Sequence, residues 1–206
     1  MENSEMTTKE EKAKKRKRSL IEWSVIIGVI SFLYLTGLHT PVIGTLQKGL
    51  LATGLIKPSI PSVTDTFPEA NRDLYMADEN GEVISLAHFE DQVVFMNIWA
   101  TWCPPCIAEM PSINKLYQKF DETDNVKFVL VSMDDDFDKA RDFMEKRGFD
   151  MPIYHFRTKA PDTYESNVIP TTYVISGDGK LMMEKQGLAK YDTPEFEQFL
   201  RDLSEI

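Results

Sequence analysis

Cys103 and Cys106 are the two cysteines of this 206-residue chain, and they stand three positions apart in Trp102-Cys103-Pro104-Pro105-Cys106. Two thiols at that spacing at a helix start can close a disulfide within one turn. The first faces the unpaired backbone N–H groups and the positive end of the helix dipole. Thiols so placed titrate at about 3.5 to 7.5 rather than about 8.5, which makes Cys103 a thiolate nucleophile at neutral pH. Cys106, one turn inside, is then the resolving thiol.

Inert buried cysteines have no reason to fall together at a helix start. A structural zinc site wants four ligands, and beyond the pair there are only His39, His88 and His155, scattered along the chain. A copper- or zinc-holding module, which delivers the ion to a partner, stays open as the alternative function; its third ligand would be His155. No resident metal and no cofactor is expected.

The elements that must hold the pair are legible around it. Val93 to Ala100 is apolar, β-branched and aromatic, and short enough for a buried central strand, so the thiols sit where strand becomes helix. The helix after Cys106 places Ile113, Leu116, Tyr117 and Phe120 on one face, and Pro111 inside it removes one backbone hydrogen bond. Upstream, Asp73 to Ala77 and Glu82 to Leu86 flank an Asn80-Gly81 turn and read as a hairpin. Downstream, Val126 to Met133 is a second buried strand, Phe137 to Arg147 a helix capped by Gly148, and Pro152 to Phe156 a short strand. Thr171 to Ser176, a Gly177-Asp178-Gly179 turn and Lys180 to Gln186 make a second hairpin, and Pro194 to Leu203 a closing amphipathic helix. The acids Asp134, Asp135, Asp136 and Asp138 lack a calcium loop's glycine and distal glutamate, and read as a solvated helix start.

Charge is unevenly placed. Residues 1–18 carry seven Lys/Arg and four Asp/Glu, net +3, whereas the whole chain is at −10, leaving −13 beyond them. The basic run Lys12 to Arg18 directly precedes an apolar stretch from Leu20 to Leu38, whose nineteen residues would reach about 28 Å as a helix, close to a hydrocarbon core of roughly 30 Å. Trp23 and Tyr34 lie near its ends as interface anchors. The sequence therefore predicts a cytoplasmic basic tail over 1–18, a transmembrane anchor in contact with membrane lipid over 19–39, a membrane-proximal amphipathic segment and linker over 40–60, and a folded domain over 61–206. The positive-inside rule then places that domain outside the cytoplasm, on a single-pass protein of a bacterial inner membrane. A cleaved signal peptide is the competing reading, without a clean small-x-small cleavage site. The acidic remainder argues against a nucleic-acid partner.

The order strand, Trp-Cys-Pro-Pro-Cys helix, strand, helix, Ile169-Pro170-Thr171, hairpin, helix resembles the thioredoxin superfamily over roughly residues 65 to 206. Within it the chain is similar to the TlpA/ResA-like branch, through its amino-terminal hairpin, its anchor and its additional helix and strand near 137 to 156. The resemblance implies an α/β, thioredoxin-like fold: a central mixed sheet flanked by helices, with an N-terminal β-hairpin and a central αβ insertion, preceded by one transmembrane helix. It implies a protein-disulfide oxidoreductase in which Cys103 attacks and Cys106 resolves. Pro170 matches the cis-proline beside the disulfide, Pro111 the helix-kink proline and Gly187 a glycine near the active surface. Trp102, Pro104, Ile169 and Thr171 are expected to contact substrate. Asn97 departs from the buried aspartate of cytoplasmic thioredoxins, and Glu109 matches the acidic residue near the thiols in TlpA/ResA-like proteins, where burial would raise its pKa and fit it to carry the Cys106 proton. The implied partners are protein disulfides, among them the Cys-x-x-Cys-His of apocytochrome c, and a transmembrane electron donor of the DsbD/CcdA type. Peroxiredoxins share the fold, but the spacing of Thr101 to Cys103 does not fit their Pro-x-x-x-Thr-x-x-Cys pattern.

Overall fold

The computed structural model describes residues 19–29, 31–36, 46–47, 49–51, 53–61, 66–120, 125–164 and 166–205. The chain divides into two compact units, Met1–Ile43 and Gly44–Ile206. In the first, helical backbone is described at 19–29 and 31–35. The predicted anchor is not supported: among the described residues no helix is long and apolar enough to cross a membrane. The single-pass inner-membrane location and the extracytoplasmic placement of the domain rest on that anchor and are not supported either. The basic run before residue 19 and the first part of the predicted membrane-proximal segment, residues 40–45, lie outside the described residues.

In the second unit seven strands form one mixed sheet in the order β2-β1-β5-β4-β3-β6-β7. They are β1 (Tyr75–Ala77), β2 (Val83–Ser85), β3 (Val93–Trp99), β4 (Val126–Ser132), β5 (Ile153–Phe156), β6 (Thr171–Ile175) and β7 (Leu181–Gln186). β3, β4 and β5 run parallel, and the two hairpins pair antiparallel at either side. Among the described residues three helices flank the sheet, α1 (Pro104–Tyr117), α2 (Phe137–Arg147) and α3 (Pro194–Ser204), and helical backbone is also described at 46–47 and 49–51.

β3 is buried at all seven positions, and its alternation sorts the core. Val93, Phe95 and Trp99 join the buried cluster that contains residues of all three helices, such as Met110, Ala140 and Leu200. Val94, Met96 and Ile98 join the opposite cluster with Leu86, Phe89 and Tyr164. Two successive parallel crossovers, β3-α1-β4 and β4-α2-β5, step across the sheet in one direction and so lay α1 and α2 on one face. The other face is covered by 3-10 turns at Leu86–Phe89 and Asp162–Tyr164, too short to leave a periodic signal in the sequence.

Local chemistry sets the helix ends. Asp136 caps α2, its side chain accepting from Asp138 N–H, and Gly148 ends it in the left-handed region at φ 64°, as its sequence predicts. Thr193 caps α3 ahead of Pro194. The additional helix and strand expected near 137 to 156 are α2 and β5, and β5 joins the amino-terminal hairpin to the sheet through β1. Packing on this unit begins before residue 60: Lys190 N–H donates to the Ile56 carbonyl at 2.9 Å, and Lys57 pairs with Glu195 at 3.3 Å.

Candidate active site

β3 and β4 end side by side, and the chain leaving β3 turns back through Ala100 to Cys103, whose N–H donates to the Ala100 carbonyl at 3.2 Å. Cys103 is the N-cap of α1: its Sγ accepts from Cys106 N–H at 3.3 Å. Pro104 and Pro105 occupy the first turn, where a missing N–H costs nothing because the first helical N–H groups have no partner inside the helix. The helix thus begins between the cysteines, two residues earlier than apolar periodicity indicates, because prolines tolerated at a helix start carry no periodic signal.

Cys103 and Cys106 are joined by a disulfide, with Cα atoms 5.3 Å apart. Cys106 is fully buried and Cys103 is 4% exposed. Cys103 Sγ lies 3.7 Å from the Ile169 carbonyl oxygen, a contact without a proton in the disulfide state. The Ile169–Pro170 peptide bond is cis, and the Pro170 carbonyl accepts from Gly187 N–H at 2.8 Å. Pro170 is buried, Pro104 and Ile169 are half-buried, and Trp102 stands out at 63% exposed; Val168 and Met133 are exposed to a lesser degree. Thr171 is fully buried, and its Oγ1 donates to the Val168 carbonyl at 2.6 Å, bracing the loop that leads to Pro170.

One turn beyond Cys106, Glu109 is fully buried. Its Oε1 accepts from Asn97 Nδ2 at 2.8 Å and its Oε2 from Ala189 N–H at 3.1 Å. Burial pushes its pKa up to about 8; the Asn97 and Ala189 hydrogen bonds and the charge of Lys185 pull the other way without offsetting it. Asn97 Nδ2 also donates to Thr172 Oγ1 at 2.9 Å, and Tyr191 Oη donates to the same oxygen at 2.7 Å. Burial first, then the neighbouring Glu109, raises the Tyr191 pKa well above its ordinary value, so that phenol stays protonated. The polar column Glu109, Asn97, Thr172 and Tyr191 therefore runs from the cysteine helix across β3 and β6. Sequence reasoning found Asn97 and Glu109 and missed Thr172, Ala189 and Tyr191.

The acidic run after β4 is divided. Asp135, Asp136 and Asp138 are exposed at the start of α2, as expected, whereas Asp134 is buried beneath the turn before Cys103. His155 stacks on Phe137 with ring centroids 5.0 Å apart. Among the described residues no group of three His, Cys, Asp or Glu side chains is arranged to hold a metal ion.

A thioredoxin-like sheet that carries a disulfide at the capped start of a helix, beside a cis-proline, defines a protein of thiol-disulfide exchange. Such a pair takes up two electrons to become a dithiol and gives them back to another disulfide. Comparison with known proteins agrees. The Redoxin family model matches residues 59–200. The thiol-disulfide oxidoreductase ResA of Oceanobacillus iheyensis is 30% identical over 143 residues, 69% of this chain and 73% of that protein. ResA of Bacillus subtilis is 31% identical over 108 residues, 52% of this chain and 60% of its own. Among solved structures, a thiol:disulfide interchange protein of the thioredoxin family from Chlorobium tepidum superposes with a TM-score of 0.56 at 22% identity, over 68% of this chain and 99% of that one. StoA from Bacillus subtilis superposes with a TM-score of 0.51 at 24% identity, over 61% and 93%. The chain belongs to the Redoxin family, among its ResA-like thiol-disulfide oxidoreductases, and is a protein-disulfide oxidoreductase of thioredoxin-like fold.

Proposed function

We propose that the Cys103/Cys106 pair works as a reductant of protein disulfides, with Glu109 as the proton store of the resolving thiol. The observation that carries this reading is the fully buried Glu109, protonated at neutral pH in the disulfide state with its pKa pushed up to about 8, one helical turn from the fully buried Cys106. That is the state a carboxyl reaches after taking the Cys106 proton. Cys103 thiolate attacks one sulfur of the substrate disulfide, and the other sulfur leaves as a thiolate and takes a proton. Cys106, giving its proton to Glu109, then attacks Cys103 Sγ; the second substrate sulfur leaves as a thiolate and takes a proton from solvent, and the substrate departs as a dithiol with two electrons. Reduction of the pair returns the proton to Cys106.

The direction follows from thiolate stability. Strong oxidants of this fold have a stabilised reduced form. Here a Cys106 thiolate would be desolvated and faced by a carboxyl, which disfavours it and favours giving electrons away. Trp102, Pro104, Ile169 and the backbone beside Pro170 form the docking ground around Cys103, and Thr171 acts on it through the 166–171 loop. In this reading the client class is the oxidised Cys-x-x-Cys-His of an apocytochrome c, and the electrons come from a thiol carrier of the DsbD/CcdA type.

Two measurements test it. Equilibration of the full chain with dithiothreitol buffers should place the pair near the reducing end of the known range, about −200 to −270 mV, and a value near −120 mV would reverse the direction. A Cys106→Ser chain should accumulate a mixed disulfide with an oxidised Cys-x-x-Cys-His peptide, whereas Cys103→Ser should form none; no trapped species from either would remove the client.

A further inference from the structure

Asp134 is a carboxylate 8% exposed, turned inward from a run whose other acids face solvent. It receives three donors and none is a cation. Oδ1 accepts from Thr101 Oγ1 at 2.6 Å; Oδ2 accepts from Thr101 N–H at 3.0 Å and from Ser132 Oγ at 2.8 Å. Ser132 Oγ in turn accepts from Asp134 N–H at 3.0 Å, which fixes the carboxylate at the end of β4. Just before it, Met133 N–H donates to the Trp99 carbonyl at 2.8 Å, carrying the β3–β4 pairing one residue past the strands. Thr101 and Trp102 are the two central residues of the turn that the Cys103 N–H to Ala100 carbonyl bond closes. The carboxylate therefore grips, at two points, the residue immediately before the exposed Trp102.

We propose that Asp134 is a positioning residue that latches the Ala100–Cys103 turn to β4 and so holds Trp102 as a fixed docking surface for the polypeptide around a substrate disulfide. Hydrogen bonds to an ionised acceptor are the stronger kind, and two of them on one residue fix both backbone and side chain. A large side chain that must stand in water next to the attacking sulfur gains nothing from burial, so its direction has to come from the turn that carries it. A bulky protein substrate needs that surface in place; a small disulfide that reaches Cys103 alone does not. The latch rests on the reading of protein disulfides as substrates and adds the residue that tells them from small ones.

The test compares reduction of insulin and of oxidised glutathione by the full chain, with dithiothreitol as electron source. Asp134→Ala should raise the KM for insulin and lower kcat/KM on insulin by about fivefold or more beyond its effect on oxidised glutathione, as loss of positioning does. Thr101→Val, which keeps the N–H and removes the hydroxyl, should shift the same ratio by a smaller factor. Thr101→Ser, which keeps both donors, should restore the wild-type ratio. If Asp134→Ala does not fold, Thr101→Val against Thr101→Ser carries the comparison. Equal losses on both substrates, or an unchanged ratio in Thr101→Val, overturn the latch and leave the substrate reading standing. A wild-type chain that reduces oxidised glutathione but not insulin overturns both.

Discussion

Asn97 Nδ2 donates to Glu109 Oε1 at 2.8 Å, and this bond joins the central strand to the helix that carries both cysteines. Neither side chain has access to water. The hydrogen bond would favour a charged carboxylate, yet desolvation outweighs it and the acid stays protonated at neutral pH.

Glu109 consequently makes stability pH-dependent in a defined direction. The folded disulfide form holds a proton up to about pH 8, whereas an unfolded glutamate releases it near 4.5. The stabilisation is fully present below the unfolded value and is lost as pH rises from there through the folded one, at up to about 1.4 kcal/mol per pH unit. Denaturant unfolding of the oxidised chain should show that slope, and Glu109→Gln should lack it. A wild-type profile as flat as that of the variant across this window would count against the buried acid.

Asn97→Asp should destabilise the domain by roughly 2 kcal/mol or more at neutral pH, since two carboxyls in contact without water cannot both ionise. The pair would share a proton and titrate as a unit, with a macroscopic pKa above that of Glu109 alone. Both raised values have the sign given above, so the deficit should widen as pH rises. Unfolding at about pH 6 and about pH 9 checks this; an equal deficit at both speaks for packing alone.

Tyr191→Phe removes the phenol that donates to Thr172 Oγ1 at 2.7 Å and leaves the ring, which packs edge-on against Phe95 at 5.2 Å. The expected loss is about 1 kcal/mol, the usual net value of one such bond. In a double-mutant cycle with Asn97→Ala the two losses should fail to add, because both residues donate to one oxygen.

The sequence announced what is local and left dark what is distant. Val93 to Trp99, both hairpins and the Gly148 cap are patterns of neighbouring residues, and the structure has them within a few positions. Asn97 and Glu109 stood out through the resemblance to the TlpA/ResA-like branch, but their partners Thr172 and Ala189 lie 75 and 80 residues away, beyond any periodicity. Asp134 was hidden by company: among four acids before a helix nothing local marks the one that turns back to Thr101 across 33 residues. The predicted anchor is not supported: among the described residues no helix is long and apolar enough to cross a membrane.

Trp102 offers the sharpest separation of docking from folding. At 63% exposed it has little burial to lose, so Trp102→Ala should change stability by no more than about 0.5 kcal/mol. The same change removes the largest apolar surface next to Cys103, and a protein disulfide should bind more weakly, with KM raised several-fold. The rate of Cys103 alkylation in the reduced chain, which reads thiolate reactivity alone, should fall far less than kcat/KM on insulin, because the N–H that donates to Sγ is that of Cys106 in α1 and not the indole's. A variant that alkylates as slowly as it turns over would assign Trp102 to thiol activation instead of docking, and would move the origin of specificity away from the Ala100–Cys103 turn.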